Sequence, residues 1–226
     1  MVLLEGQRLV ADAVASGLGL ELVLVSEARP ELLVEFDRAM LIEASLLDRI
    51  SDLKTSPGVL ALARAPRMRD AMELGARLEG ASAPLVLVVD GVTDPVNLGA
   101  LARSAEAAGA AALVWVAGGA GVFGARALRG SMGSLLRLPV FAAADADAAR
   151  AAVAAAGLQV VRPDTRGGVD WRSVDWSPAV ALWIGGETRA ADIGGVGVTI
   201  PMAGEVESLN VTVAASLLLF AAGRTS

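Results

Sequence analysis

The side chains available for chemistry in this 226-residue chain are bounded first by what is missing: it has no histidine, no cysteine and no tyrosine. Imidazole bases, thiolate nucleophiles and the commonest zinc ligands are therefore excluded. Histidine-based triads, cysteine proteases and histidine-ligated zinc hydrolases go with them. Catalysis must run on carboxylates, arginine, the single lysine Lys54, hydroxyls, Asn amides and backbone groups. Eighteen of the 19 basic residues are arginine, whose planar fork suits two-point contact with phosphate, although a general bias toward Ala, Gly, Val and Arg explains the count equally well. One glycine motif invites a cofactor reading. Gly119-Ala120-Gly121-Val122-Phe123-Gly124 fits GxGxxG, and Asp145 follows about 20 residues on, as the dinucleotide fingerprint asks. That fingerprint belongs to the turn after a domain's first strand, and here that turn reads Asp90-Gly91-Val92-Thr93-Asp94-Pro95. A nicotinamide cofactor is set aside on that ground.

The elements that would position reactive groups alternate along the chain. Residues 5–17 read as a helix with Leu9, Val10, Ala13 and Val14 on one face; 22–25 and 59–63 read as strands, and 45–52 as a short helix. Residues 32–36 and 39–42 are weaker segments. Residues 64–82 change character, mixing Arg64, Arg67, Arg69 and Arg77 with Asp70, Glu73 and Glu79, and read as a linker with some helix. Beyond them, the continuous apolar run 85–89 reads as a strand buried on both sheet faces. A loop over 90–97, a helix over 98–108, a strand over 111–116 and a short helix near 125–130 follow. Further strands are predicted over 140–142, 159–162, 180–184 and 198–200, with helices over 147–156 and 210–222. The repetition predicts an α/β domain with a parallel sheet covered on both faces. In this frame Asn97 begins and caps its helix. Arg103, a turn and a half later, could simply pair with Glu106 at i,i+3, and Ser208 could be a plain cap of the last helix.

Net charge is −6, with 9 basic and 13 acidic groups in residues 1–82 and 10 and 12 in residues 83–226. Neither half is a nucleic-acid binder by bulk charge, so an RNA footprint would rest on local patches, for which Arg126, Arg129 and Arg137 are candidates. Met1 is followed by Val-Leu-Leu-Glu-Gly-Gln-Arg, without a basic leader. The most membrane-like stretch, 211–222, falls short of the roughly 20 residues a spanning helix needs. A cytoplasmic protein is expected.

Three segments of the second half stand out together. They are Asp90-Gly91-Val92-Thr93-Asp94-Pro95-Val96-Asn97-Leu98-Gly99-Ala100-Leu101-Ala102-Arg103-Ser104-Ala105, then Leu182-Trp183-Ile184-Gly185-Gly186-Glu187, then Ile200-Pro201-Met202-Ala203-Gly204-Glu205-Val206-Glu207-Ser208-Leu209-Asn210-Val211-Thr212-Val213-Ala214-Ala215. With the intervening Ser131-Met132-Gly133-Ser134-Leu135-Leu136-Arg137-Leu138-Pro139-Val140, residues 83–226 resemble the SpoU/TrmH branch of the SPOUT RNA methyltransferases. Through Leu4-Glu5-Gly6 and Ser51-Asp52-Leu53-Lys54-Thr55-Ser56-Pro57-Gly58-Val59-Leu60-Ala61, the first half resembles, more loosely, the small L30e-like substrate-binding domain of many members.

The resemblance implies an α/β fold in three parts: an L30e-like domain over residues 1–66, a linker over 67–82 and a SPOUT catalytic domain over 83–226. The catalytic domain would have a parallel sheet and a deep trefoil knot, a topology that periodicity could never indicate. S-adenosylmethionine is the implied cofactor and a ribose 2′-OH in RNA the implied methyl acceptor, 23S-type ribosomal RNA ahead of tRNA. A homodimer through the catalytic domain is implied, with the apolar helix 210–222 at its interface; no metal and no membrane are implied. Carried over residue by residue, the catalytic set is Arg103, Asn97, Glu187, Ser208 and Asn210, and the cofactor set is Gly185, Ile200, Met202, Gly204 and Leu209.

The residue types suit those roles. Gly185-Gly186 and Gly204 let backbone approach a ligand without an intervening Cβ. Ile200, Met202 and Leu209 offer apolar walls and backbone groups for an adenine. An arginine side chain is a standing cation, better suited to gripping a phosphate and polarising a hydroxyl than to acting as a base. Methyl transfer from a sulfonium is chiefly a matter of positioning. The chain departs from the family pattern at Thr212, where serine is commoner, and at Thr188-Arg189-Ala190, which replaces a glycine-rich continuation. A tRNA ribose methyltransferase and a non-catalytic RNA-binding homologue remain the alternatives.

Overall fold

Two sheets organise the chain in the computed structural model, which describes residues 1–165, 167–185 and 193–223. The first is built by β1 (Val2–Glu5), β2 (Leu20–Ser26), β3 (Ala39–Ile42) and β4 (Val59–Ala63) in the order β1-β4-β2-β3. Helices α1 (Gln7–Ala15) and α2 (Ala44–Ile50) and a 3-10 turn (Pro30–Glu35) connect them. β4 runs antiparallel to both neighbours, whereas β2 and β3 are parallel. The helix expected over 5–17 is therefore shorter, because residues 2–5 pair with β4 before Gly6 turns the chain. Four residues are too few to give a period of their own.

The larger sheet has eight strands, all parallel. Its members are β5 (Arg69–Asp70), β6 (Leu85–Asp90), β7 (Ala112–Val116), β8 (Val140–Ala143), β9 (Gln159–Pro163), β10 (Val169–Asp170), β11 (Val180–Gly185) and β12 (Val196–Thr199), in the order β10-β12-β9-β11-β6-β7-β8-β5. Every residue of β6 is buried, as the unbroken apolar run demanded. Alternate residues serve opposite faces. Leu85, Leu87 and Val89 join the core formed with α4 (Pro95–Ala107), α5 (Ala125–Ser131), α6 (Ser134–Arg137) and α8 (Val211–Ala222). Val86 and Val88 join the opposite core, with α3 (Leu74–Leu78) and α7 (Ala146–Ala155).

The stretch read as a linker is part of this second unit. Arg69–Asp70 pairs with β8, Asp70 caps the turn that follows, and Ala71, Leu74 and Leu78 are buried. Its burial rests on three apolar positions among many charges, which composition alone obscures.

Two ion-pair clusters join the units. Glu5, its side chain fully buried, accepts hydrogen bonds from the Ser51 hydroxyl and the Asp52 amide, both at 2.9 Å, and from Arg129 of α5. Arg137 bridges Asp12 of α1 at 3.3 Å and Glu106 of α4 at 2.7 Å. Arg129 and Arg137 are thus committed to internal carboxylates rather than held out for phosphate. Arg126 stays exposed.

Candidate cofactor and RNA site

The sheet order places β6 between strands that follow it in the chain, β11 on one side and β7 on the other. Beyond β6 the chain goes to β7 and β8 on one flank and to β9, β11 and β12 on the other. At such a switch point the loops leaving adjacent strands diverge, and the C-terminal strand ends open a crevice. A cavity of about 890 Å³ lies there. Its walls come from Gly91–Asp94 and Asn97 after β6, Arg162–Thr165 at the end of β9, Trp183–Gly185 at the end of β11, and Val198–Ile200, Met202 and Val206–Leu209 after β12. Val211 and Ala214 of α8 close one side.

Local chemistry explains how these loops are held. Asp94, not Asn97, caps α4: its carboxylate accepts from the Val96 amide at 2.9 Å, with Pro95 in the first helical turn. The signal was present, since Asp-Pro is a favoured cap followed by a favoured first residue. Asn97 is left free for another task, and its Oδ1 accepts from the Thr212 hydroxyl at 3.3 Å. Asn210 caps α8 by accepting from the Thr212 amide at 2.8 Å. A second hydroxyl pair, Ser104 and Ser216 at 2.7 Å, repeats the α4–α8 link farther up the helices. The two helices that carry the first and third segments are thus tied through side chains. Thr212, the departure from serine, keeps the hydroxyl this link uses.

The cofactor set divides. Gly185, Ile200, Met202 and Leu209 line the cavity, whereas Gly204 does not, and a side chain there would meet nothing within 4 Å. Of the catalytic set, Asn97 and Ser208 line the cavity. Ser208 does not cap α8. Asn210 does so from outside the lining, and Glu187 and Thr188-Arg189-Ala190 lie outside the described residues. Arg103 is exposed on α4; six residues beyond Asn97 place it about 9 Å along the axis and on a different helical face. Its expected neighbour Glu106 is taken by Arg137, whose guanidinium holds that carboxyl below the usual carboxylate range. Arg103 therefore has no hydrogen bond or ion pair among the described residues.

Several cavity residues carried no motif. Arg162, Asp164 and Thr165 line it, and the rule that α/β ligands sit at strand C-termini would have pointed to Arg162-Pro163-Asp164. Two buried donors in this wall, Trp183 Nε1 and Arg162 Nε, have no hydrogen-bond partner among the described residues. The GxGxxG segment serves a packing purpose: Ala120 donates its amide to Val92 at 2.8 Å and accepts from Trp115 Nε1 at 3.0 Å. Among the described residues, no group of three or more acidic side chains could hold a metal ion, and no helix is long and apolar enough to cross a membrane.

A parallel α/β sheet with a ligand-sized cavity at its switch point, lined by three separated polar and glycine-containing segments, defines the nucleotide-cofactor class of α/β proteins. Within that class the chain belongs to the SpoU rRNA methylase family, whose match spans residues 84–220. It is similar to the 23S rRNA (guanosine-2′-O-)-methyltransferase RlmB of a Burkholderia species, with 35% identity over 83% of this chain and 77% of that protein. With the 23S rRNA (guanosine(2553)-2′-O)-methyltransferase RlmP of Bacillus subtilis it shares 28% identity over 96% of this chain and 86% of the relative. Among solved structures, the SpoU methyltransferase AviRb from Streptomyces viridochromogenes in complex with the cofactor AdoMet superposes with a TM-score of 0.81 at 28% identity, covering 97% of this chain and 88% of the other.

Proposed function

We propose that this protein transfers a methyl group from S-adenosylmethionine to a ribose 2′-OH of RNA, 23S-type ribosomal RNA in particular. The carrying observation is the convergence of three separated segments on one cavity at the strand ends, in a chain of the SpoU family. The residues suit the cofactor. Volume falls in the range of small-molecule sites; Val198, Ile200, Met202 and Leu209 provide apolar wall, and Trp183 Nε1, without a partner among the described residues, offers a donor. When bound, the cofactor supplies a methyl already activated by its sulfonium.

The chain's own contribution is positioning. Asn97, fixed by Thr212, and Ser208 face the cavity and can hold the ribose. Arg103, without a hydrogen bond or ion pair among the described residues, grips a nucleotide phosphate and polarises the hydroxyl. Glu187 and Asn210 complete the polar set, Asn210 by fixing the start of α8; Gly204 belongs to the loop between Met202 and Val206, which line the cavity. The N-terminal unit acts as the L30e-like substrate-binding domain.

The protein acts as a homodimer through the catalytic domain. Val213, Leu217 and Phe220 form an exposed stripe along α8 at helical spacing, beside Trp171, in a groove of about 600 Å³. The catalytic domain carries the deep trefoil knot, a topology supported by the return of the chain after β12 to the same cavity that the β6 and β11 loops line. A ribosomal RNA substrate goes with a cytoplasmic site of action.

The test is methyl transfer from labelled S-adenosylmethionine to unmodified 23S rRNA, read as a phosphodiester resistant to alkali beside the modified ribose. Methylation lost in Arg103→Ala, with cofactor binding retained, supports the reading. Binding without transfer to any ribosomal RNA, or transfer to tRNA alone, overturns it.

A further inference from the structure

The Arg162–Asp164 pair belongs to no signature segment, yet both residues line the cavity. β9 carries them to its C-terminal end between β11 and β12. The register pairs Leu182 with Val161, so the next step sets Trp183 beside Arg162 on the opposite sheet face; on the other flank Arg162 lies against Gly197. The absence of a side chain at Gly197 is what makes room. A Cβ there would lie 2.9 Å from Asp164 Oδ2 and 3.5 Å from Arg162 Nη2. The pair is therefore laid across the glycine of β12 and held in place rather than swung into solvent, with Arg162 at 19% and Asp164 at 24% side-chain exposure.

Orientation of the guanidinium matters more than its presence. Nη1 donates to Asp164 Oδ2 at 3.1 Å, which occupies one side of the fork. The edge formed by Nε and Nη2 is left, and Nε is buried without a partner among the described residues. A buried charged donor without an acceptor is costly, and this edge is the one that meets a carboxylate through two parallel hydrogen bonds. Charge in the described wall agrees. Arg162 is its single basic side chain, set against Asp94, Asp164 and Glu207. For a ligand with one carboxylate, Arg162 is therefore the single cationic side chain of the described wall that can meet its anion.

We infer that Arg162, oriented by Asp164 over Gly197, is the docking group for the carboxylate of the cofactor's methionine tail. This rests on the proposed use of S-adenosylmethionine and assigns a residue to it that no signature segment contains. Arg162 thereby selects for the amino-acid end of the ligand rather than for its nucleoside.

Calorimetric titration of the full chain with S-adenosylhomocysteine and with 5′-methylthioadenosine separates these ends, because the second ligand lacks the amino-acid tail. Wild-type protein is expected to bind both. Arg162→Gln should weaken S-adenosylhomocysteine about ten- to a hundredfold, the scale of a lost charge-assisted contact, and leave 5′-methylthioadenosine unchanged. Retained nucleoside binding also reports that the variant has folded. Arg162→Lys, which keeps the charge and loses the fork, should fall between the two. An unchanged affinity for S-adenosylhomocysteine, or equal loss of both ligands, overturns the assignment. Failure of wild-type protein to bind either ligand overturns the proposed function itself, a different result from loss in the variant alone.

Discussion

Removing the Glu5 carboxylate tests how firmly the two units are joined. The side chain is fully buried and takes three donors, the Ser51 hydroxyl, the Asp52 amide and the Arg129 guanidinium, while Arg129 itself is 23% exposed. Breaking a buried pair by deleting one partner costs about 3–5 kcal/mol, chiefly by stranding the other charge. Because Arg129 can recover some water, Glu5→Ala should sit at the low end, about 3 kcal/mol. For a chain of this size that lowers the midpoint of thermal unfolding by roughly 6–12 °C. Differential scanning calorimetry of Glu5→Ala, Arg129→Met and the double variant reads both the loss and the coupling. The double variant should lose clearly less than the sum of the singles, since the stranded charge is gone. Strict additivity, or a shift below about 2 °C for Glu5→Ala, would refute the claim that this pair joins the units.

Other consequences follow from single contacts. The Glu106 carboxyl is held below its ordinary value by Arg137, so the pair's contribution is complete above about pH 4.5 and is lost as pH falls through the lowered folded-state value; urea midpoints between pH 7 and pH 3 should decline less steeply in Glu106→Gln than in wild type. At the α4–α5 crossing, a Cβ on Gly99 would overlap the Ala127 carbonyl oxygen and lie 2.7 Å from the Ser131 amide nitrogen. Helix propensity favours alanine there by about 1 kcal/mol, but overpacking against backbone costs about 1–3 kcal/mol or more, so Gly99→Ala should lower the urea midpoint. Gly204→Ala, which meets nothing, should leave it unchanged. Phe220→Glu places a charge on the exposed apolar stripe of α8 and is expected to give a monomer in analytical ultracentrifugation where wild type gives a dimer.

Much of the larger sheet was legible because its strands are unbroken apolar runs, as in Leu85 to Val89, set between alanine-rich helices of clear period. The shorter pieces were not. β5 and β10 have two residues each and exist only by pairing with a neighbour, so no local signal could mark them. α4 starts three residues before the expected position 98, because Asp94-Pro95 supplies the cap and first residue while Asn97, also a favoured cap type, sits inside the first turn. Pairing partners of arginine were also out of reach: that Glu106 would take Arg137 and leave Arg103 depends on where α6 lands against α4, a tertiary fact. The signature segments hold Gly185, Ile200, Met202 and Leu209 of the cavity wall, with Trp183 beside them, but Arg162 enters it through strand order alone.

The most direct measurement is a calorimetric titration of the purified chain with S-adenosylmethionine and, in parallel, NADH, repeated on Gly185→Leu. The cavity at the strand ends predicts saturable binding of S-adenosylmethionine, none of NADH, and loss of the first when a leucine side chain enters beside Asp90 and Trp183. No binding of S-adenosylmethionine at millimolar concentration, or undiminished binding by Gly185→Leu, would contradict the assignment of this cavity as the methyl-donor site.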